Sequence, residues 1–280
     1  RRAPKATVVD CTKPVDPDVL APAVERIRAS RKAVAFTGAG ISVESGIPDF
    51  RSPGGLWTVF PPDEYATLDA FIDTPEKAWE LFREMGRTIA KAGPNPAHRA
   101  LARLEKAGKL DCVITQNIDG LHQAAGSANV VEVHGDHARL QCIFCGRIEP
   151  LEPDLLENPR VPACADCGHP LKPNVVLFGE GVRGLEEIAR IVAGCDLLLV
   201  VGTSAQVYPS AGIPAAVKSE GGAVFEFNVE PTALTFGEAM GLLWGGASAG
   251  LADYLFQGPA GVALPRVVDA ALDPGVGPEK

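Results

Sequence analysis

No apolar run in this chain is long enough to cross a membrane as a helix, and none resembles the apolar centre of a signal peptide. The chain opens on Arg1 without a preceding methionine, which points to a trimmed or processed start. Basic residues are scarce: 26 Lys and Arg against 35 Asp and Glu leave a formal charge of −9. That balance argues against bulk binding to nucleic acid or anionic membrane, so no direct nucleic-acid contact is expected. An acidic surface instead tolerates basic partners such as lysine-bearing polypeptides. No serine or cysteine has the surroundings of an activated nucleophile, so a covalent acyl-enzyme is not indicated. Internal repeats are also missing.

What is present suits a large folded unit. A 46% hydrophobic content over 280 residues can fill one large core or two smaller ones. The first 20 or so residues, with Pro4, Pro14, Pro17 and Pro22, read as an irregular arm running into a helix that ends near Ser30. Asp73-Thr74-Pro75-Glu76 predicts a helix start, followed at helical spacing by Ala78, Leu81, Phe82, Met85 and Ile89. A second helix opens at Asn95-Pro96 and buries Ala97, Leu101 and Leu104. Strands are predicted over 33–37, 110–115, 130–133, 197–201 and 223–228. Helices are predicted over 184–193, with Leu185, Ile188 and Val192 inward, and over 214–219. Alternating helices and short apolar strands argue for a parallel sheet covered on both faces.

The segment Ala33 to Trp57 organises the rest. An apolar strand, Ala33 to Thr37, runs into Gly38-Ala39-Gly40, where two near-adjacent glycines let a bound group approach the main chain. A helix following such a turn would favour a phosphate. The third glycine of the usual dinucleotide fingerprint is missing, with Val43 in its place, so this is not the ordinary nicotinamide-cofactor turn. Three more polar clusters fall at expected strand ends, where a doubly wound sheet binds ligands. They are Gln116-Asn117-Ile118-Asp119, Gly202-Thr203-Ser204, and Asn228-Val229-Glu230. His134 closes a strand on the same edge, and imidazole suits proton abstraction near neutral pH. His122 reads as a helix-surface or packing residue.

Cysteine usage marks a module of another kind. Cys142-x2-Cys145, 18 intervening residues, and Cys164-x2-Cys167 have the spacing of a four-thiolate zinc site. Two disulfides are the alternative. Four thiolates leave no open coordination position, so such a metal would be structural. His169 stands close enough to compete as a ligand. Cys11, Cys112 and Cys195 are left isolated, and an odd thiol count without a secretory signal fits a reducing cytoplasm.

These strings together resemble the sirtuins, NAD-dependent protein-lysine deacylases. The resemblance rests on Gly38-Ala39-Gly40-Ile41-Ser42, Ser45-Gly46-Ile47-Pro48-Asp49-Phe50-Arg51, Thr115 to His122, His134-Gly135, the four cysteines, Val175 to Glu180, and Gly202-Thr203-Ser204. It spans about residues 21–268. It implies a Rossmann-type doubly wound parallel sheet with an inserted small domain made of a zinc ribbon and a helical module. The expected partition is 1–47, 93–138 and 174–280 for the NAD-binding domain, 48–92 for the cofactor loop and helical module, and 139–173 for the zinc ribbon.

By the same resemblance, Gly38, Ala39 and Gly40 would line the pyrophosphate of NAD, and Asp49, Phe50 and Arg51 would form a mobile cofactor loop. Gln116 and Asn117 would hold the nicotinamide ribose, and Ile118 and Asp119 the carboxamide. Gly202, Thr203, Ser204, Asn228, Glu230 and Ala260 complete the cofactor set. His134 would be the general base, with Asn117 also catalytic. The acyl-lysine polypeptide would lie as an added strand against Val176, Phe178, Gly179, Glu180 and Val207. The implied reaction yields free lysine, nicotinamide and O-acyl-ADP-ribose. A mono-ADP-ribosyltransferase and a non-enzymatic zinc-ribbon adaptor are the alternatives.

Three departures from the family pattern stand out. Phe82 and Met85 occupy the positions that bind acidic acyl groups in some members, which disfavours succinyl and malonyl substrates. Leu177 replaces a frequent aromatic. Phe236 to Gly250 looks like a glycine-rich insertion.

Overall fold

A computed structural model describes residues 6–50, 53–236 and 250–273. Arg51 and nearly all of the Phe236–Gly250 insertion lie outside the described residues. Ten strands are present among the described residues: β1 (Thr7–Asp10), β2 (Ala33–Thr37), β3 (Cys112–Thr115), β4 (Val130–Glu132), β5 (Gly135–Gln141), β6 (Ile148–Pro150), β7 (Lys172–Val175), β8 (Leu197–Val201), β9 (Ala223–Asn228) and β10 (Tyr254–Gln257). The helices are α1 (Pro17–Ala29), α2 (Leu56–Val59), α3 (Pro62–Tyr65), α4 (Leu68–Asp73), α5 (Pro75–Lys91), α6 (Pro96–Lys106), α7 (Leu121–Ala124), α8 (Leu185–Val192), α9 (Ile213–Ser219), α10 (Ala233–Phe236) and α11 (Ala260–Leu272).

Seven strands form one all-parallel sheet in the order β1-β10-β9-β8-β2-β3-β4. The chain leaves β2 toward β3 and β4, then returns to place β8 on the other side of β2. Such a reversal opens a crevice beyond the carboxyl ends of the two strands. Gly38 follows β2 and Gly202 follows β8, so the sequence clusters and the topological switch point coincide.

Both faces of the sheet are covered, as its uniformly apolar central strands require. Ala33 and Ala35 of β2, with Leu197, Leu199 and Val201 of β8, pack among residues of α1, α6 and α11. The alternate residues Val34, Phe36, Leu198 and Val200 face Ile188, Val192, Ile213 and Val217 of α8 and α9. Each such large side chain contributes roughly 1.5–3 kcal/mol on burial. The helix starts follow their capping chemistry. Asp16 accepts from Asp18 N–H with Pro17 opening α1, and Asn95 and His98 form a reciprocal capping box at α6.

A second, antiparallel sheet, β6-β5-β7, carries the cysteines. Its core joins α4 and α5 through Phe71, Trp79 and Phe82, packed with Leu140, Leu171 and Val175. Trp79 Nε1 donates to Leu171 O at 2.8 Å, and His137 Nε2 lies 2.9 Å from Phe82 O. The chain therefore has a Rossmann-type doubly wound sheet with a small inserted unit that combines a ribbon and helices.

The N-terminal arm is not irregular throughout. Thr7–Asp10 adds a parallel edge strand against β10, a pairing too distant in sequence and too short for local pattern to reveal. Leu185 is not inward: it is 46% exposed, and the buried face of α8 begins one turn later at Ile188. β10 and α11 lie outside the sequence-based expectations. No helix among the described residues is long and apolar enough to cross a membrane.

Candidate active site and metal centre

The switch point is closed by backbone against backbone. Gly40 N–H donates to Gly202 O at 2.8 Å, and Gly38 N–H donates to Val201 O at 3.1 Å. A Cβ on Gly38 would lie 2.7 Å from Thr203 Cβ, and one on Gly40 2.8 Å from Gly202 Cα. Gly202 has φ +60°, and its added Cβ would sit 2.2 Å from Ile41 N. The paired glycines therefore serve the mutual approach of two turns. A 3-10 helix, Ala39–Ser45, continues from the first turn.

Around this contact the polar side chains interlock. Asn117 Nδ2 donates to Gly38 O at 3.1 Å and Ser42 Oγ at 3.2 Å, while Ser42 Oγ donates to Asp119 Oδ2 at 2.7 Å. Asp119 also caps α7 by accepting Leu121 N–H at 3.0 Å, and burial raises its pKa against the effect of those bonds. Gln116 Nε2 donates to Thr203 Oγ1 at 2.9 Å, joining the turn after β3 to the turn after β8. Asn228 Nδ2 reaches Thr203 O at 3.4 Å, so three strand ends meet at Thr203. Glu230 is exposed and stands apart from this network, while Ala260 is buried at the start of α11. Thr203 Oγ1 also accepts from Ala205 N–H, closing the turn that contains Ser204.

His134 Nδ1 lies 3.0 Å from Gln116 O. A carbonyl oxygen only accepts, so Nδ1 carries the proton and Nε2 keeps a basic lone pair. Burial holds the His134 pKa below the ordinary histidine value, opposed in part by the bond to Gln116. The imidazole is therefore neutral at physiological pH.

Two histidines that the sequence reading does not place in the site belong to its buried floor. His122 is 1% exposed, with Nε2 2.9 Å from Thr37 Oγ1, so it is an interior packing residue and not a helix-surface one. His98 packs edge-on against it with ring centroids 4.9 Å apart, and its Nε2 lies 3.5 Å from Ser42 Oγ. Asn95-Pro96 marks the helix start that delivers His98, but only tertiary structure brings it beside Ser42.

The loop after the 3-10 helix doubles back on itself. Leu56 N–H donates to Asp49 O and Trp57 N–H to Phe50 O, each at 3.0 Å. Phe50 and Trp57 pack with tilted rings 4.9 Å apart, and Trp57 lies 6.1 Å from Phe178. Phe178 is 47% exposed, yet its N–H donates to Ala66 O and its carbonyl accepts from Leu68 N–H. Val176 N–H donates to His134 O at 2.8 Å. The Val207 carbonyl accepts from Ala211 N–H and Ser210 Oγ. Ile118 packs beside the small-unit core, which also holds Leu177. Phe82 is fully packed there, while Met85 is partly exposed.

The four cysteine sulfurs all lie within 4.8 Å of one another. Cys142 and Cys167 are 3.5 Å apart, as are Cys145 and Cys164. A disulfide requires about 2.05 Å, whereas sulfurs about 2.3 Å from a tetrahedral zinc sit roughly 3.8 Å apart. The set fits zinc. Each knuckle turns on a glycine: Gly146 N–H donates to Cys142 O and Gly168 N–H to Cys164 O, with φ of +80° and +75°. His169 stacks on Phe144 at 4.0 Å and does not join the sulfurs.

Fold and site together define a Rossmann-type protein whose catalytic crevice is flanked by an inserted four-thiolate ribbon. The chain belongs to the Sir2 family, whose model matches residues 38–209. It is 45% identical over 248 residues to an NAD-dependent protein deacylase 2 of Pyrobaculum aerophilum, covering 87% of this chain and 92% of that one. A solved Sir2 homolog–NAD complex matches with TM-score 0.82 and 37% identity over 96% of each chain. A Sir2 structure with a deacetylated p53 peptide and 3′-O-acetyl ADP ribose matches with TM-score 0.78 and 33% identity, over 89% of this chain and 96% of that one.

Proposed function

We propose that this chain is an NAD-dependent protein-lysine deacylase with acetyl-lysine as its principal substrate, and that His134 is its general base. The observation that carries the reading is the neutral, partly buried His134, its proton on Nδ1, bonded to Gln116 at the switch point of the sheet. NAD is the second substrate: its ADP-ribose portion receives the acyl group as nicotinamide departs, giving free lysine and O-acyl-ADP-ribose. Relatives named NAD-dependent protein deacylases, and solved relatives with NAD or an acetylated ADP ribose, support this assignment.

The proposed roles follow the family resemblance. The Gly38–Gly40 and Gly202–Ser204 turns form the phosphate side, with Asn228, Glu230 and Ala260 toward the adenosine. Gln116 and Asn117 serve the nicotinamide ribose, and Ile118 and Asp119 the carboxamide. His134 Nε2 takes the proton of the ribose hydroxyl that attacks the acyl carbon. Asp49, Phe50 and Arg51 screen the reacting sugar from water. An acyl-lysine polypeptide would lie between the Val176–Glu180 loop and Val207, using backbone that Phe178 does not already commit to Ala66 and Leu68. The packed Phe82 offers no partner for an acidic acyl group. Zinc, held by Cys142, Cys145, Cys164 and Cys167, would fix the ribbon and take no part in the reaction. Cys11, Cys112 and Cys195, isolated and buried thiols outside the metal set, support a reducing compartment such as the cytoplasm.

Purified protein with NAD and a panel of acetyl-, succinyl- and long-chain acyl-lysine peptides tests the reading. Nicotinamide release with acetyl-lysine preferred over succinyl-lysine is expected. No release from zinc-replete protein overturns it, and label from NAD retained on protein would indicate an ADP-ribosyltransferase.

A further inference from the structure

Lys172, on β7, has no side-chain exposure. A buried ammonium is tolerated only with close partners. Its Nζ donates to Val175 O at 2.5 Å, lies 3.5 Å from Pro173 O, and sits 3.1 Å from Glu180 Oε2. The same Glu180 oxygen accepts Leu177 N–H at 2.7 Å, and Glu180 N–H donates back to Leu177 O at 3.0 Å. Glu180 Oε2 is thus committed within its own loop.

That loop is joined to His134 at its other end. Val176 N–H donates to His134 O, and Gly135 lies against β7 so closely that a Cβ there would meet Asn174 O at 1.9 Å. The stretch 176–180 is therefore an arch with two footings: the carbonyl of the proposed base at one end and an ion pair to the buried Lys172 at the other. Arg183 closes the outer side by donating to Asn174 Oδ1 at 2.6 Å.

We propose that the Lys172–Glu180 pair is a positioning device for the polypeptide substrate. It holds the loop so that Val176 and Gly179 stand at a fixed distance from His134, and it sets peptide affinity without touching NAD or the reacting atoms. The proposal rests on the deacylase reading above. It reassigns Glu180 from substrate contact to loop support and gives Lys172 a role in recognition.

The test uses full-length, zinc-replete protein with NAD and an acetyl-lysine peptide. Lys172→Met should raise peptide KM about tenfold or more, with NAD KM and kcat nearly unchanged, and Lys172→Arg should restore it. Glu180→Gln should give a similar rise. The double variant should be no worse than either single, because each single change leaves one buried charged partner uncompensated. An unmoved peptide KM, an equal loss toward NAD, or purely additive effects would overturn the proposal. Should Lys172→Met fail to fold, the Glu180→Gln and double variants carry the same comparison: unmoved peptide KM in both overturns it. A wild-type protein that releases no nicotinamide overturns the deacylase reading as well, whereas an active wild type with unmoved variants overturns this proposal alone.

Discussion

His134 and Gln116 are joined by a 3.0 Å contact from the imidazole Nδ1 to a main-chain oxygen. The contact settles the tautomer by chemistry, since the carbonyl has no proton to give. It also ties the proposed base to the end of β3, the same turn whose Gln116 side chain reaches Thr203 after β8. Base and cofactor turn are thereby held by one residue, through its main chain on one side and its amide on the other.

The first prediction concerns that base. His134→Asn keeps a side chain of similar reach but loses the basic nitrogen, and turnover should fall by about 10²–10⁴-fold with NAD binding retained. Because burial lowers the His134 pKa, the acid limb of kcat/KM should lie below the ordinary histidine value near 6.5. A pH–rate profile and calorimetric NAD titration check both points. A limb above pH 7 in the wild type would contradict the neutral, partly buried imidazole.

The second concerns the ribbon. Purified protein should hold one zinc per chain by metal analysis. Cys164→Ser, which alters a buried ligand, should lose that metal and most peptide turnover while circular dichroism of the large parallel sheet persists. The two cores are separate sets of side chains, which is why the loss should be local.

How far sequence alone reached follows from the range of the interactions. The four cysteines were legible because a knuckle is a local device with a glycine at a fixed offset. Strands β2 and β8 were legible because such apolar runs have few other uses in an α/β fold. β1 was not, because only Val9 of its four residues is buried and its partner, β10, lies near the other end of the chain. Leu185 misled because helical spacing does not say where a helix first meets its sheet. His98 and Lys172 escaped for a related reason: one acts through Ser42 and the other through Glu180, and neither pairing leaves a spacing signal.

The third prediction tests the closure of the two turns. Gly202→Ala would place a Cβ 2.2 Å from Ile41 N in a left-handed conformation, so it should destabilise the fold by about 2–4 kcal/mol. It should also abolish the NAD-dependent rise in melting temperature, which for the wild type corresponds to about 2.7 kcal/mol at a hundredfold excess over Kd. Thermal melts with and without NAD measure both. Undiminished stabilisation by NAD in the variant would place the cofactor elsewhere.

The last prediction concerns the buried pair His98 and His122. Burial lowers their pKa values to about 4 and about 3, with the neighbouring Arg99 and His98 respectively adding to the effect. Both folded values lie below the unfolded value near 6.5, so the unfolded chain binds more protons as the medium is acidified. Stability is therefore full above pH 6.5 and falls as pH drops toward the folded values, by on the order of 3 kcal/mol for His98 and about 5 kcal/mol for His122 at the acid limit. Asp119, Glu132 and Glu226 have pKa values raised by burial and act in the opposite sense. Between pH 6.5 and 5 the histidines should dominate. Urea denaturation across that window should give a positive slope of stability against pH. His122→Leu should reduce the slope by nearly one proton whatever its own stability, since slope counts protons and not contacts. A variant with the wild-type slope would mean that His122 is already charged in the folded protein, and the neutral floor beneath Thr37 and Ser42 would have to be abandoned.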